Sequence, residues 1–376
     1  MNENRAAIYV HIPFCRAKCA YCDFASFPNR QGDMDFYVEK LLLEAQSARE
    51  RYGAFSVPSV FIGGGTPSIL SGGLIAKILD TLGALFPIES GAEISIEGNP
   101  GTLTGQWLAA AKAAGANRLS LGAQAFQEEL LRMLERIHTA AEIGEAVDMA
   151  RAAGFDNLNI DLMYALPGQT EEMWRESLQS ALALDVPHVS CYSLIAEEGT
   201  PLTRRIERGE LTLPEDETVL NMQRMAADVL RKGGLMRYEI SNYARAGFES
   251  RHNMGYWRRV DYLGLGCAAH SLMENERFSN PNDLEAYLSG ARMQDLTVRS
   301  EMDRREEIIM LSTRMTSGLD LRKWKADFAE DFETIYQKPI EKMQNYGLVE
   351  IENGFMRLTP AGMELQDAVV LEFLDT

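Results

Sequence analysis

Three of the five cysteines of this chain lie within eight residues, at Cys15, Cys19 and Cys22. Thiolates at this C-x3-C-x2-C spacing can bind three irons of a 4Fe-4S cube and leave the fourth iron without a cysteine. That open iron is a place for a further ligand. A zinc site is the alternative, but structural zinc normally uses two separated ligand pairs, and no second pair follows at a suitable spacing. We therefore interpret the motif as an iron–sulfur site.

A glycine-rich segment provides a second candidate binding element. It contains Gly64, Gly65 and Thr66 within the run G-G-G-T-P, directly after the second predicted strand. Glycine has no Cβ, so backbone groups in such a segment can approach a ligand closely, and Thr66 adds a hydroxyl. Alone, the segment would equally well form a tight turn. Its position after the cysteine motif favours a binding role.

Polar residues also mark the ends of later predicted strands. Glu97 ends the third strand, Gln124 follows the fourth, Asp161 ends the fifth, and Arg136 is predicted on the helix after the fourth strand. They offer carboxylates for an amine or a ribose, an amide for hydrogen bonds and a guanidinium for a carboxylate. Each one alone is more simply explained as a buried, hydrogen-bonded group, so their combination carries the interpretation.

Short apolar runs alternate with amphipathic segments along the first half of the chain and must position these residues. Strands are predicted at 6–12, 59–62, 93–97, 118–121, 157–163 and 188–195. Helices are predicted at 35–51, 74–85, 104–114, 140–153 and 171–184, where apolar residues recur near helical spacing. Six β-then-α units predict a parallel α/β sheet, either open and doubly wound or closed into a partial TIM-type barrel. Chemistry takes place at the carboxyl ends of the strands in both architectures.

The pattern changes after residue 300. Helical segments at 301–315 and 321–346 precede a predicted hairpin at 348–358 around Asn353-Gly354, and Thr359-Pro360 is typical of a helix start. Helices followed by a hairpin predict a winged-helix-like module. Residues 301–376 contain 16 acidic and 9 basic residues, so phosphate binding is disfavoured, and we expect packing or partner docking instead.

The composition limits the partners of the protein. The 376 residues include 37 basic and 55 acidic side chains, for a net charge of -18, which disfavours nucleic acid and anionic membranes as partners. Five cysteines are an odd number and argue against a secreted disulfide framework. No apolar run approaches the roughly 20 residues that span a bilayer, and residues 6–10 are too short for a signal-peptide core. We expect a cytoplasmic protein without a transmembrane segment.

With these motifs in this order, most of the chain resembles the radical S-adenosylmethionine (SAM) superfamily. The resemblance implies a partial TIM-type (β/α)6 barrel in which the three cysteines hold a 4Fe-4S cluster and SAM chelates the fourth iron. It also implies cofactor contacts at eight positions, which are Tyr9, Gly64, Gly65, Thr66, Glu97, Gln124, Arg136 and Asp161. Gly98 departs from the family pattern, in which alanine is more common at this position. The loss of one methyl group beside Glu97 does not weaken the resemblance.

Two further segments resemble the coproporphyrinogen oxidase-like branch of this superfamily. They are H-I-P-F-C at 11–15 and the block at 238–257, which contains H-N-x-x-Y-W. The oxygen-independent oxidases carry another cysteine two residues after the third ligand and an N-terminal extension. Here Phe24 occupies that position, and the first predicted strand begins near residue 6. The H-N-x-x-Y-W block, residues 264–271 and the C-terminal module instead resemble the HemW family of haem chaperones.

The H-N-x-x-Y-W block is the predicted haem contact. His252 supplies an imidazole that could bind haem iron, and Tyr256 and Trp257 supply flat apolar faces beside it. The alternative is a loop histidine bonded to backbone beside packed aromatic rings. Cys267 and His270 are further candidate ligands of the iron.

The resemblance also implies a domain organisation and a function. It divides the chain into a barrel at 1–240, an extension packed on the barrel at 241–300, and a winged-helix-like domain at 301–376. It implies a haem chaperone that binds haem, a 4Fe-4S cluster and SAM and passes haem to acceptor haem proteins, with homodimerisation open and no catalytic residue assigned. The alternative is a redox enzyme that cleaves SAM and abstracts hydrogen from a tetrapyrrole. A winged-helix sensor of iron or redox state is disfavoured by the acidic tail.

Overall fold

A large, mostly parallel sheet forms the main body of the protein. The computed structural model describes residues 4–374, and within them one sheet contains twelve strands. The six predicted strands are observed at Ala7–Ile12 (β1), Val57–Gly64 (β2), Ile88–Gly98 (β3), Arg118–Gln124 (β4), Asn157–Tyr164 (β5) and His188–Ser193 (β6). They pair in chain order, and every pair is parallel. Their carboxyl ends therefore meet at one edge of the sheet.

Helices connect these strands and cover the sheet. They are Met34–Tyr52 (α1), Gly72–Leu85 (α2), Gly105–Ala113 (α3), Glu128–Met133 (α4), Ala140–Ala152 (α5), Glu171–Ala183 (α6), Pro201–Glu207 (α7) and Asp216–Lys232 (α8). Five of them begin after a hydroxyl side chain that accepts a backbone N–H bond, at Ser71, Thr104, Thr139, Thr170 and Thr200. The apolar faces of α1, α2, α3, α5, α6 and α8 join the strands in one core, whereas Leu130 and Leu131 of α4 lie in a separate, smaller cluster. Within residues 4–374, no helix is long and apolar enough to cross a membrane.

Residues after α8 extend the same sheet at both of its edges. The added elements are Met236–Arg237 (β7), Asn242–Ala244 (β8), Arg251–Trp257 (α9), Tyr262–Leu265 (β9), His270–Met273 (β10), Glu276–Ser279 (β11), Leu284–Leu288 (α10) and Gln294–Val298 (β12). Strand β9 lies parallel to β1, so the sheet has a seventh parallel strand. The boundary predicted at residue 240 falls between β7 and β8, which pair with each other. Residues 241–300 thus continue the sheet of the barrel, whereas we predicted an extension packed on it.

The C-terminal module has its own small sheet and core. Its elements are Glu301–Ser312 (α11), Leu319–Asp320 (β13), Leu321–Phe328 (α12), Phe332–Ile335 (α13), Gln337–Asn345 (α14), Val349–Glu352 (β14), Phe355–Leu358 (β15), Pro360–Glu364 (α15) and Gln366–Leu374 (α16). The hairpin turns at Asn353 and Gly354, which both have positive φ angles. The predicted helical segment at 321–346 is divided into three helices, because Ala329 is left-handed and Asp331 caps the next helix.

One carboxylate joins this module to the large sheet. Glu307 on α11 lies 2.6 Å from Arg259 Nε and 2.7 Å from Arg277 Nε, and Arg299 Nε is 2.9 Å away. Burial would raise the pKa of Glu307, but hydrogen bonds from Arg277 and Arg259 outweigh it and hold the pKa below its ordinary value. The module is therefore fixed to the sheet by a largely buried charge cluster.

We expect Glu307→Gln to lower the free energy of unfolding by about 3 kcal/mol, because it removes the anionic partner of three arginines in a largely buried site. Urea denaturation measures the change. Glu301→Gln is the matched control on the same helix, because Glu301 is 65% exposed in its ion pair with Arg305, and we expect a loss of about 0.5 kcal/mol or less. Equal stability of the Glu307→Gln variant and the unsubstituted protein would contradict this role.

Candidate functional site

The cysteine motif lies in the loop between β1 and α1. Two short strands in this loop, Phe14–Cys15 and Phe27–Pro28, pair in parallel. His11 Nε2 lies 2.9 Å from the carbonyl oxygen of Ala25, and its Nδ1 lies 2.9 Å from the hydroxyl of Tyr9. Since a carbonyl only accepts, Nε2 donates and Nδ1 accepts from Tyr9. His11 therefore fixes the backbone of the cysteine loop.

The glycine segment after β2 packs against this loop. The backbone N–H of Gly65 donates to Ile12 O and that of Thr66 to Phe14 O, each at 2.8 Å. A Cβ on Gly65 would lie 2.6 Å from Phe14 O, and a Cβ on Gly64, which has a φ of +111°, would lie 2.5 Å from the His11 ring. We predicted that these glycines allow a ligand to approach. The structure shows that they also allow the cysteine loop itself to approach.

The motifs meet in one cavity of about 430 Å³ at the carboxyl ends of the strands, which we call the cysteine cavity. Ten predicted site residues line it: Cys15, Cys19, Cys22, Gly64, Gly65, Thr66, Glu97, Gln124, Arg136 and Asp161. Tyr9 and His252 do not line it. The cavity is also lined by Tyr21, Ser120 and Tyr192, which were not predicted. The position of Tyr192 near the carboxyl end of the sixth predicted strand was a usable signal.

The three thiols surround a shared volume. Cys15 Sγ lies 3.4 Å from Thr66 Oγ1, and Arg136 Nη1 donates to Cys19 Sγ at 3.3 Å. Burial raises the pKa of the Cys15 and Cys22 thiols. In the described part of the chain, no three His, Cys, Asp or Glu side chains form a site for a single metal ion. A 4Fe-4S cube binds each thiolate through a different iron, so thiols placed around a cavity fit it better than they fit a zinc ion.

Two carboxyl groups in the cysteine cavity have raised pKa values. Glu97 is partly buried between the two cavities, and this burial, followed by the nearby Asp161 carboxylate, raises its pKa to about 8. Glu97 Oε2 accepts from the backbone N–H of Gly64 at 3.1 Å. Burial also raises the pKa of Asp161, which accepts from Ser120 Oγ at 2.9 Å and Asn159 Nδ2 at 2.8 Å. A cationic or hydroxyl-bearing ligand in this cavity would stabilise the ionised form of these groups.

Arg136 and Gln124 complete the polar lining. We predicted Arg136 on a helix, but α4 ends at Met133, and Arg136 lies in the following loop, after the left-handed residue Glu135. Its Nη2 donates to Gly122 O, whereas its buried Nε has no protein partner. Gln124 has a φ of +68° at an irregularity in the pairing of β4 with β5, which re-aims its side chain. The unpaired N–H of Arg136 fits an anionic ligand such as a carboxylate.

A larger cavity of about 790 Å³ adjoins the first, and we call it the aromatic cavity. The two cavities share the lining residues Lys18, Phe24, Ser26, Gly64 and Glu97. Tyr9, which we predicted as a SAM contact, lines the aromatic cavity together with Tyr256, Trp257, Tyr262 and His270. A ligand in this cavity would lie next to the contents of the cysteine cavity.

His252 lies behind the wall of the aromatic cavity. Its side chain is 1% exposed, its Nδ1 lies 2.9 Å from Ser59 Oγ, and its Nε2 lies 2.9 Å from the hydroxyl of Tyr256. Burial lowers its pKa to about 3. Cys267 is also buried, and its thiol donates to Pro281 O. The structure thus speaks against both as iron ligands in this conformation, since His252 would have to break a hydrogen bond and neither residue lines either cavity.

Two protein families match this chain. Residues 9–181 match the Radical SAM superfamily, and residues 300–365 match the HemN C-terminal domain. Helix α11 and the hairpin of the C-terminal module fall within the second match.

The chain is similar over its whole length to several curated proteins. It is 36% identical to Heme chaperone HemW of Lactococcus lactis, over 100% of this chain and 98% of the relative. It is 32% identical to Heme chaperone HemW of Bacillus subtilis, over 97% and 98% of the two chains. Among solved structures, coproporphyrinogen III oxidase (HemN) from Escherichia coli, a radical SAM enzyme, has a TM-score of 0.85 at 24% identity and covers 99% of this chain and 90% of its own. This likeness confirms the predicted fold class, a partial TIM-type barrel with a C-terminal module.

Proposed function

The chain belongs to the HemW family of haem chaperones, and on that premise we propose that it binds haem and transfers it to acceptor haem proteins. The aromatic cavity of about 790 Å³ is the observation that carries this proposal. Ligand pockets typically measure roughly 300–1,000 Å³ and combine apolar walls with a few placed polar groups. The rings of Tyr256 and Trp257 match the flat faces of a tetrapyrrole, and the cations of Lys18 and Arg277 match its carboxylates.

We also propose that the cysteine cavity holds a 4Fe-4S cluster and SAM. Cys15, Cys19 and Cys22 would bind three irons. The unpaired Nε–H of Arg136 would bind the SAM carboxylate, and Glu97 would accept from its amino or ribose groups. Further contacts are proposed for Gly64, Gly65, Thr66, Gln124 and Asp161. When bound, the 4Fe-4S cluster and SAM would supply one-electron chemistry. The role that we propose for them in this protein is to order the wall that the two cavities share.

Hemin titration followed by transfer tests the proposed function. We expect the anaerobically reconstituted protein to bind hemin with a shift of the Soret band, and to pass it to a haem-free acceptor on mixing. The control is the same mixture with hemin-loaded serum albumin, which binds hemin without being dedicated to its delivery. Hemin that never binds, or that moves to the acceptor no faster than from albumin, would contradict the chaperone function.

A turnover assay distinguishes the haem chaperone from the alternative, a redox enzyme that acts on a tetrapyrrole. The same protein, supplied with reductant, SAM and coproporphyrinogen III, is expected to form no protoporphyrinogen IX. Efficient conversion would instead support a tetrapyrrole oxidoreductase, for which the adjacent cavities would place SAM beside its substrate.

A further inference from the structure

We propose that His270 binds the haem iron and that Arg277 binds a haem carboxylate, an inference that rests on the proposed function and names the side chains of its site. The two residues occupy neighbouring strands, β10 and β11, and both line the aromatic cavity. Together they would fix the tetrapyrrole at its centre and at one edge.

The free imidazole of His270 is the first observation. All five histidines lie within residues 4–374, and the ring nitrogens of four of them are hydrogen-bonded: His11, His138, His188 and His252. The exposed ring of His270 has no hydrogen-bond partner among the described residues. Iron can therefore bind His270 without the loss of a protein hydrogen bond, which holds for no other histidine of the chain.

The backbone of His270 is held in place although its ring is free. His270 pairs with Ser279 of β11, and the hydroxyl of the next residue, Ser271, accepts from the backbone N–H of Gly264 at 2.9 Å. A Cβ on Gly264 would lie 2.0 Å from His270 O, so only glycine permits this close packing of β9 on β10. A fixed backbone with an unbonded ring is the arrangement of a preorganised ligand-binding residue.

The cations of the cavity supply the second observation. Arg277 donates from Nε to Glu307 at 2.7 Å and from Nη1 to Tyr262 at 3.3 Å, and its Nη2 has no partner among residues 4–374. Arg259 also lines the cavity, but it is committed to Glu307 and Asn275 and only 9% exposed. Arg277 thus keeps a free N–H in a guanidinium that Glu307 orients, which is the arrangement that binds carboxylates well.

Acidic residues limit where the ligand carboxylates can lie. Asp23 and Glu97 line the aromatic cavity on the side of the cysteine loop and β3, whereas Arg277 lies on β11. A haem whose carboxylates point to Arg277 keeps them on the cationic side of the cavity. The opposite orientation would leave the free N–H of Arg277 without a carboxylate and would place the haem carboxylates near Asp23, with Lys18 as the only cation of the cysteine loop that lines the cavity.

Hemin titration of three variants of the reconstituted protein tests this proposal. We expect His270→Ala to weaken hemin binding about tenfold or more and to lose the spectrum of an imidazole-bound iron, with added imidazole restoring that spectrum. Arg277→Gln should weaken binding roughly fivefold without changing the spectrum. His252→Gln is the matched control, because glutamine can still bond to Ser59 and Tyr256, and it should keep both affinity and spectrum.

Each remaining result has a definite meaning. A His270→Ala variant with the spectrum and affinity of the unsubstituted protein overturns the proposal, and loss of the spectrum in His252→Gln alone assigns the iron to His252. Thermal unfolding and a His270→Gln variant check that a loss of hemin binding does not come from unfolding. Because the ring of His270 is exposed, we expect both variants to unfold at the temperature of the unsubstituted protein. If the unsubstituted protein fails to bind hemin, the proposed function itself fails, a result that needs no variant.

Discussion

A Cys19→Ser variant is expected to lose nearly all of the visible absorption that anaerobic reconstitution with iron and sulfide gives to the unsubstituted protein. The three thiols of Cys15, Cys19 and Cys22 surround one cavity, and each would bind a different iron. Serine supplies a poorer ligand at a position where Arg136 donates to the sulfur at 3.3 Å. We expect bound iron to fall from about four atoms per chain to less than one. The absorption spectrum and the iron and sulfide content measure the loss.

Cys191→Ala is the matched control. Cys191 lies buried in β6, and burial raises the pKa of its thiol far above the ordinary range, so it stays protonated and is a poor metal ligand. This variant should bind as much cluster as the unsubstituted protein. A complete cluster in Cys19→Ser, or an equal loss in Cys191→Ala, would show that the cysteine loop does not hold the iron.

Local pattern predicts the barrel units well. The predicted helices at 35–51 and 140–153 are observed at Met34–Tyr52 and Ala140–Ala152, because their apolar periodicity acts within the segment itself, as does the cap that Thr139 provides for the second helix. The rule that ligands bind at the carboxyl ends of parallel strands then brings residues as distant in sequence as Cys15 and Asp161 to one cavity. Both inferences need only local sequence and the order of the elements.

The features that could not be predicted from the sequence depend on contacts between distant segments. The pairing of β9 with β1 joins residues about 255 positions apart, and no local pattern indicates it. His252 is hydrogen-bonded to Ser59, which lies on β2 and is distant in sequence. Without that contact, the residue type of His252 and its neighbours in sequence suggest an iron ligand just as well as a buried, hydrogen-bonded histidine. His270 differs from the other histidines in being exposed and in having no hydrogen-bond partner among the described residues, and both features depend on the assembled fold. Arg136 was misplaced because no glycine or proline follows α4 to indicate where the helix ends.

Glu97→Gln is expected to stabilise the cofactor-free protein and to weaken SAM binding. The pKa of Glu97 is raised from 4.5 to about 8, so between these pH values the unfolded chain is ionised while the folded protein stays protonated. The free energy of unfolding of the unsubstituted protein therefore falls as pH rises through this range, by at most about 1.4 kcal/mol per pH unit. Glutamine cannot ionise and escapes this loss, so at pH 8 the variant should be about 2–3 kcal/mol more stable.

The pH dependence separates this effect from a general improvement in packing. Urea denaturation at several pH values should show the difference between the two proteins growing from pH 5 to pH 8, whereas Glu50→Gln, on an exposed position of α1, should show no such trend. After cluster reconstitution we expect the unsubstituted protein to bind SAM more tightly than Glu97→Gln, because the variant lacks the carboxylate that would accept from SAM. Equilibrium dialysis should show that the variant binds SAM about tenfold more weakly or worse. A variant less stable than the unsubstituted protein at pH 8 would mean that Glu97 is already ionised and paired in the folded state. In that case Glu97 would cost the empty protein no free energy, and the raised pKa would not be a property of the folded state.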